Sequence, residues 1–135
     1  MTRYLPDTMH LIWFSRGRRA EVEWFQMMMN SGEEVGACPV TIAEAYAGAV
    51  PVEHPGWAEI FDALTYWGVT REDAAQSGIY RYEFARRGFQ LKLGDTLIAA
   101  IARRVGATVV TENRKDFPMT DIPVIGLGPR LAARP

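Results

Sequence analysis

Asp7 in RYLPDTMHLIWF and Asp95 in LKLGDTLIAAIARRVGATVVTENRKDF are each followed by threonine and an apolar run. Two more acids, Glu44 in TIAEAYAGA and Asp116 in TENRKDF, lie near other apolar segments. Taken singly, each has a plain structural use. Asp7 and Asp95 suit helix N-caps, Glu44 suits the positive end of a helix dipole, and Asp116 before Phe117-Pro118 suits a turn. Taken together they suit chemistry. Two carboxylates ~4 Å apart repel by about 4 kcal/mol at an effective dielectric of about 20. A fold that gathers several must protonate some of them or hold a cation. Oxygen donors without a histidine or cysteine cluster favour Mg²⁺ or Mn²⁺. Such an ion lowers the pKa of bound water and stabilises charge on a phosphoryl group, so phosphodiester hydrolysis is the chemistry these residues suggest.

The surrounding elements must bring the four acids together. RYLP, residues 3–6, reads as a short strand ending at Asp7, and DTMHLIWF as a helix broken near SRGRR. A helix over 19–30 stops at Ser31-Gly32. EVGAC, residues 34–38, reads as a buried strand ended by Pro39, with a helix starting around Thr41. Another helix begins at His54-Pro55, with Trp57, Ile60, Phe61 and Leu64 on one face. YWGV is a candidate short strand; Thr70, with Asp73 three residues on, caps a helix that Gly88 closes. A helix over Asp95–Val105, a strand ATVVT and a final strand IPVIGL complete the chain, followed by a loose tail, GPRLAARP. Strands alternating with helices predict an α/β fold around a mostly parallel sheet, as one domain over 1–128 with a flexible tail over 129–135.

In a parallel sheet the carboxyl ends of the strands share one edge, the usual place for an α/β active site. Asp7 follows the first strand, and Glu44 lies in the first turn of the helix after VGAC. The helix from Asp95 and the strand ATVVT are each roughly 16 Å long. Packed antiparallel across the turn at Gly106, they set Asp95 beside Thr111 and the loop carrying Asn113 and Asp116. The spacing of Asp95, Ile98, Ala102 and Val105 puts Asp95 on the buried stripe of its helix.

Composition narrows the field. The chain has 135 residues, enough for one core, and a formal net charge of −1, so no bulk basic field marks a nucleic-acid partner. Its single cysteine, Cys38, excludes a disulfide within the chain and reads as a small buried hydrophobe. Arg3, Pro6 and Asp7 interrupt any signal-peptide core, and no run is long enough to span a membrane, so a soluble, cytoplasmic protein is expected.

LPDTMHLI, TIAEAYAG, GDTLIAAIARRVGATVVT and TENRKDF resemble the PIN-domain family, in particular its VapC-type toxins, and the likeness runs from Tyr4 to Leu127. The resemblance implies a three-layer α/β/α fold and a Mg²⁺- or Mn²⁺-dependent endoribonuclease. It also implies a homodimer and neutralisation by a cognate antitoxin. Asp7, Glu44, Asp95 and Asp116 match the metal-binding acids; the mechanism expected from their shared edge has Asp7, Asp95 and Asp116 hold the metal, with Glu44 as a further ligand or an orienter of the attacking water. Thr111 and Asn113 match the supporting polar residues. The family often has Asn two residues after the first aspartate. Here Met9 stands there, which cannot hydrogen-bond, and His10 beside it is expected at an ordinary helix position.

Arg114 and Lys115 flank Asp116 and are the favoured RNA contacts, ahead of the arginines of SRGRR and those at 86, 87, 103 and 104. In RRAEVEWFQMMMN, Val22, Phe25 and Met29 form one stripe and Trp24 and Met28 another. The methionines read first as core filling, and second as a groove for a partner helix. The competing function is a catalytically silent PIN-fold module that binds RNA or protein. A receiver-like signalling domain lacks an acceptor Asp in YWGVTRED, and dinucleotide binding lacks its glycine motif.

Overall fold

A computed structural model describes residues 1–128; the tail predicted over 129–135 lies outside them. The elements run β1 (Arg3–Pro6), α1 (Thr8–Ser15), α2 (Arg19–Ser31), β2 (Glu34–Ala37), α3 (Pro39–Ala47) and α4 (His54–Ala63). They continue with β3 (Thr65–Tyr66), α5 (Arg71–Ala85), α6 (Leu93–Val105), β4 (Ala107–Val110) and β5 (Val124–Ile125). The strands form one sheet in the order β3-β2-β1-β4-β5, and every pairing is parallel. From β1 the chain moves outward to β2 and β3, then crosses back to β4 on the other side of β1. That reversal makes the carboxyl ends of β1 and β4 the topological switch point.

Helices cover both faces. Leu5 and Val109 point into a core formed with Ile98, Ile101 and Ala102 of α6 and Tyr80 and Phe84 of α5. Their neighbours Tyr4 and Val110 point the other way, toward Leu11 of α1, Trp24, Phe25 and Met28 of α2, and Trp57 of α4. This alternation along a strand buried on both sides is the pleat expressed as two cores. The three-layer α/β/α arrangement expected from the sequence is present.

Several boundaries differ from expectation, each for a local reason. The helix after β2 begins at Pro39 rather than Thr41. Proline's fixed φ and missing N–H suit the first helical position, so Pro39 ends the strand by starting the helix. Residues 65–66, not YWGV, pair with β2, through Gly36↔Thr65 and Ala37↔Tyr66. Gly36 makes this possible: a Cβ there would stand 2.3–2.7 Å from ring carbons of Trp67, which lies across the strand. Of IPVIGL only Val124 and Ile125 are strand, pairing with Val109 and Val110. The helix expected from Asp95 starts at Leu93, with Lys92 at the N-cap.

Candidate active site

Asp7 is held by both strands of the switch point. Its backbone N–H continues the sheet by donating to the Val110 carbonyl at 2.9 Å. Its carboxylate caps α1, accepting from the backbone N–H of His10 at 3.2 Å through Oδ1. The other oxygen, Oδ2, accepts from the Thr111 hydroxyl, and Thr111 in turn accepts from the Asn113 N–H at 3.0 Å. Capping and site membership are therefore the same fact for Asp7. For Asp95 the N-cap reading is overturned. It lies in the first turn of α6, half-buried and beside the cavity.

Asp7, Glu44, Asp95 and Asp116 line one open cavity of about 310 Å³ at the carboxyl edge of the sheet. Asn113 joins them, while Thr111 is fully buried beneath, bonded to Asp7. Glu44 reaches the cavity from α3, its Oε1 accepting from the Thr8 hydroxyl. Gly94 packs closely on α3: a Cβ on it would stand 3.2 Å from a Val40 methyl, a tight contact, and 3.5 Å from Glu44 Oε2, an ordinary one.

Electrostatics follow from this crowding. Burial pushes the Asp7 carboxyl above its ordinary value, and the Thr111 hydrogen bond and the nearby His10 oppose the shift. Asp95 is pushed up to about 6, first by burial, then by the charges of Asp116 and Glu44, with Lys92 opposing and Asp7 adding slightly. A carboxylate raised by its acidic neighbours is what an added cation would relieve. Among the described residues, the cavity lining contains acid and amide oxygens but no histidine or cysteine, which suits a hard ion. As the side chains stand, no group of three or more His, Cys, Asp or Glu among the described residues forms an arrangement that would hold a metal ion.

The family model of the PIN domain matches residues 4–122. The chain belongs to the PIN-domain family. A protein named ribonuclease VapC19 from Mycobacterium tuberculosis (strain H37Rv) is 33% identical over 118 residues, spanning 85% of this chain and 92% of that protein. One named ribonuclease VapC2 from Haemophilus influenzae (strain Rd) is 28% identical over 122 residues, spanning 87% and 91%. Among solved structures, VapBC2 from Rickettsia felis bound to a promoter DNA fragment superposes with a TM-score of 0.79 at 18% identity, covering 93% of this chain and 98% of that one. DNA-bound VapBC from Salmonella typhimurium gives 0.77 at 22%, covering 95% and 100%.

Within this PIN domain several residues stand where the sequence did not suggest. Arg114 and Lys115 form an exposed 3-10 turn with Asp116 and do not line the cavity, whereas Lys92 does. Met9 lines it too. His10 is not an ordinary helix position. It is buried, its Nδ1 lies 2.8 Å from Glu21 Oε2 of α2, and its Nε2 lies 3.5 Å from Glu112 Oε1 beyond β4. Arg18 approaches the other Glu21 oxygen at 3.3 Å. The paired DT dipeptides also part company. Thr8 orders Glu44, while Thr96 is buried against Ser77 at 2.7 Å and bonds back to the Leu93 carbonyl. A histidine among the apolar residues of a short helix is the sequence sign of the His10–Glu21 pair.

Proposed function

We propose that this PIN domain is a metal-dependent endoribonuclease, the toxin of a toxin–antitoxin pair. The observation that carries the reading is the meeting of Asp7, Glu44, Asp95 and Asp116, from four separate stretches of chain, in one cavity. The names of its VapC ribonuclease relatives support RNA as the substrate. Asp7, Asp95 and Asp116 would hold Mg²⁺ or Mn²⁺, directly or through water, and the bound ion would supply an acidified water and charge stabilisation at phosphorus. Thr111 fixes the rotamer of Asp7 from beneath. Glu44, which accepts from the Thr8 hydroxyl, would orient the attacking water or accept its proton. Asn113 offers an amide to the same cavity.

The solved VapBC neighbours support an antitoxin partner. A second cavity, about 510 Å³ and lined by Phe14, Val22, Phe25, Met29, Ile60 and Leu64, offers an apolar seat between α2 and α4 for a partner segment. The Val22–Phe25–Met29 stripe thus faces a groove. Of the three methionines only Met28 fills the core; Met27 and Met29 are exposed. Exposed Ile79 and Tyr82 on α5 are suited to a homodimer contact.

The test is Mn²⁺-dependent cleavage of a mixed cellular RNA pool by wild type and Asp95→Asn. Cleavage lost with chelator and in the variant is the expected result; equal cleavage by both proteins would sink the assignment of these acids. A silent RNA- or protein-binding module is the second reading. Met9 in the cavity wall, with no hydrogen bond to offer, favours it. It predicts RNA binding without turnover by the wild type.

A further inference from the structure

Four acids in one cavity pose a problem for any phosphodiester substrate, because their like charge repels it. The cations placed by sequence to offset this, Arg114 and Lys115, stand outside the lining. Among the described residues, the cavity wall contains a single basic residue, Lys92.

Local structure does not explain a lysine there. Lys92 is the N-cap of α6, with extended backbone (φ −77°, ψ 147°) and no side-chain capping bond. Helices prefer Ser, Thr, Asp or Asn at that position, because the side-chain oxygen satisfies a free N–H. A positive charge there also opposes the helix dipole. Lys92 is exposed, and among the described residues it forms no ion pair within 4 Å. Its ammonium does act on Asp95, three residues later, offsetting part of the repulsion among the acids. A cation held at some local cost at the mouth of an acidic cavity, with its donors uncommitted, is positioned for an anion that enters from solvent.

We propose that Lys92 binds a non-bridging oxygen of an RNA phosphodiester entering the acidic cavity, and so holds the strand against the four carboxylates. This rests on the ribonuclease reading. A lysine supplies a point charge rather than a planar fork, so the contact selects for phosphate and not for a base. It therefore governs how tightly RNA is held, with little influence on sequence preference.

The experiment compares wild type, Lys92→Gln and Lys92→Arg for binding of a fluorescein-labelled random-sequence oligoribonucleotide in chelator, across a salt series, and for Mn²⁺-dependent cleavage of the RNA pool. Lys92→Gln is expected to weaken binding about tenfold at low salt and to flatten the log–log salt slope by about 0.7, one phosphate contact on a single strand. KM should rise while kcat changes little, and Lys92→Arg should restore both binding and slope. An unchanged affinity and slope in Lys92→Gln overturns the proposal. So does a change confined to the pH profile of cleavage, which would mean that Lys92 acts only on Asp95. A loss that Lys92→Arg fails to restore, with a lowered melting temperature, would assign it a structural role and overturn the proposal as well. Wild type that neither binds nor cleaves RNA would remove the ribonuclease reading itself, an outcome separate from these.

Discussion

Asp95 shows how a side chain can weaken a fold for the sake of a site. Its carboxyl is pushed from an ordinary 3.8 up to about 6. Between those values the folded chain keeps a proton that the unfolded chain releases. Stability is therefore highest below the lower value, falls as pH rises toward about 6, and stays reduced above it. In chelator, Asp95→Asn should raise the thermal midpoint at about pH 7.5 and raise it less at about pH 4.5, where the folded wild-type acid is already neutral. Scanning calorimetry at both pH values checks this, and an equal shift at both would remove the electrostatic account. His10 and Glu21 make a different case, a buried pair in which each is the other's close polar contact. Both side chains are 2% exposed. Removing one partner leaves a buried polar group without its 2.8 Å contact, at a cost of about 1–3 kcal/mol. His10→Leu and Glu21→Leu should each destabilise by that order, and the double variant by clearly less than their sum. Additive losses in urea melts would show that the two residues are not coupled.

At the scale of elements, two glycines let neighbours approach where a side chain would hold them apart. Gly36 lets Trp67 cross β2, and Gly94 lets Val40 of α3 pack 3.2 Å from where a Cβ would stand. Gly36→Ala places a Cβ against the ring of a buried tryptophan, and overpacking of this kind costs about 1–3 kcal/mol. The expected result is a lower urea midpoint with an unchanged slope, since the surface exposed on unfolding stays the same. A midpoint equal to wild type would mean that the indole moves aside freely. Strong local signals made some elements legible. The Thr70–Asp73 capping box, with bonds of 2.9 and 3.0 Å, and the Gly32 and Gly106 caps at φ 75° and 73° lie where the sequence put them. The first turn of α6 was not legible, because Lys92 is a poor cap and the aspartate three residues on is a good one. The identity of β3 was not legible either. A two-residue strand has too little periodicity to be read, and its register comes from β2.

For the whole molecule, the apolar surface left outside the two cores sets the expected assembly. Light scattering of the chain alone should give the mass of two chains. Met29→Glu, on the rim of the α2–α4 groove and away from α5, should leave that mass unchanged. It should also abolish capture of a co-expressed cognate antitoxin. A monomeric chain would remove the dimer, and retained capture would remove the groove as the antitoxin seat. Among the described residues no helix is long and apolar enough to cross a membrane. By itself the sequence determined the alternation of strands and helices and the shared edge for Asp7, Glu44, Asp95 and Asp116. These follow from periodicities and from strand direction, which are local properties that add up along the chain. Only the tertiary structure decided that Lys92, rather than Arg114 or Lys115, enters the cavity, and that His10 is closed between Glu21 and Glu112. Those outcomes depend on the direction a side chain takes where three elements meet, and packing across the fold sets that direction.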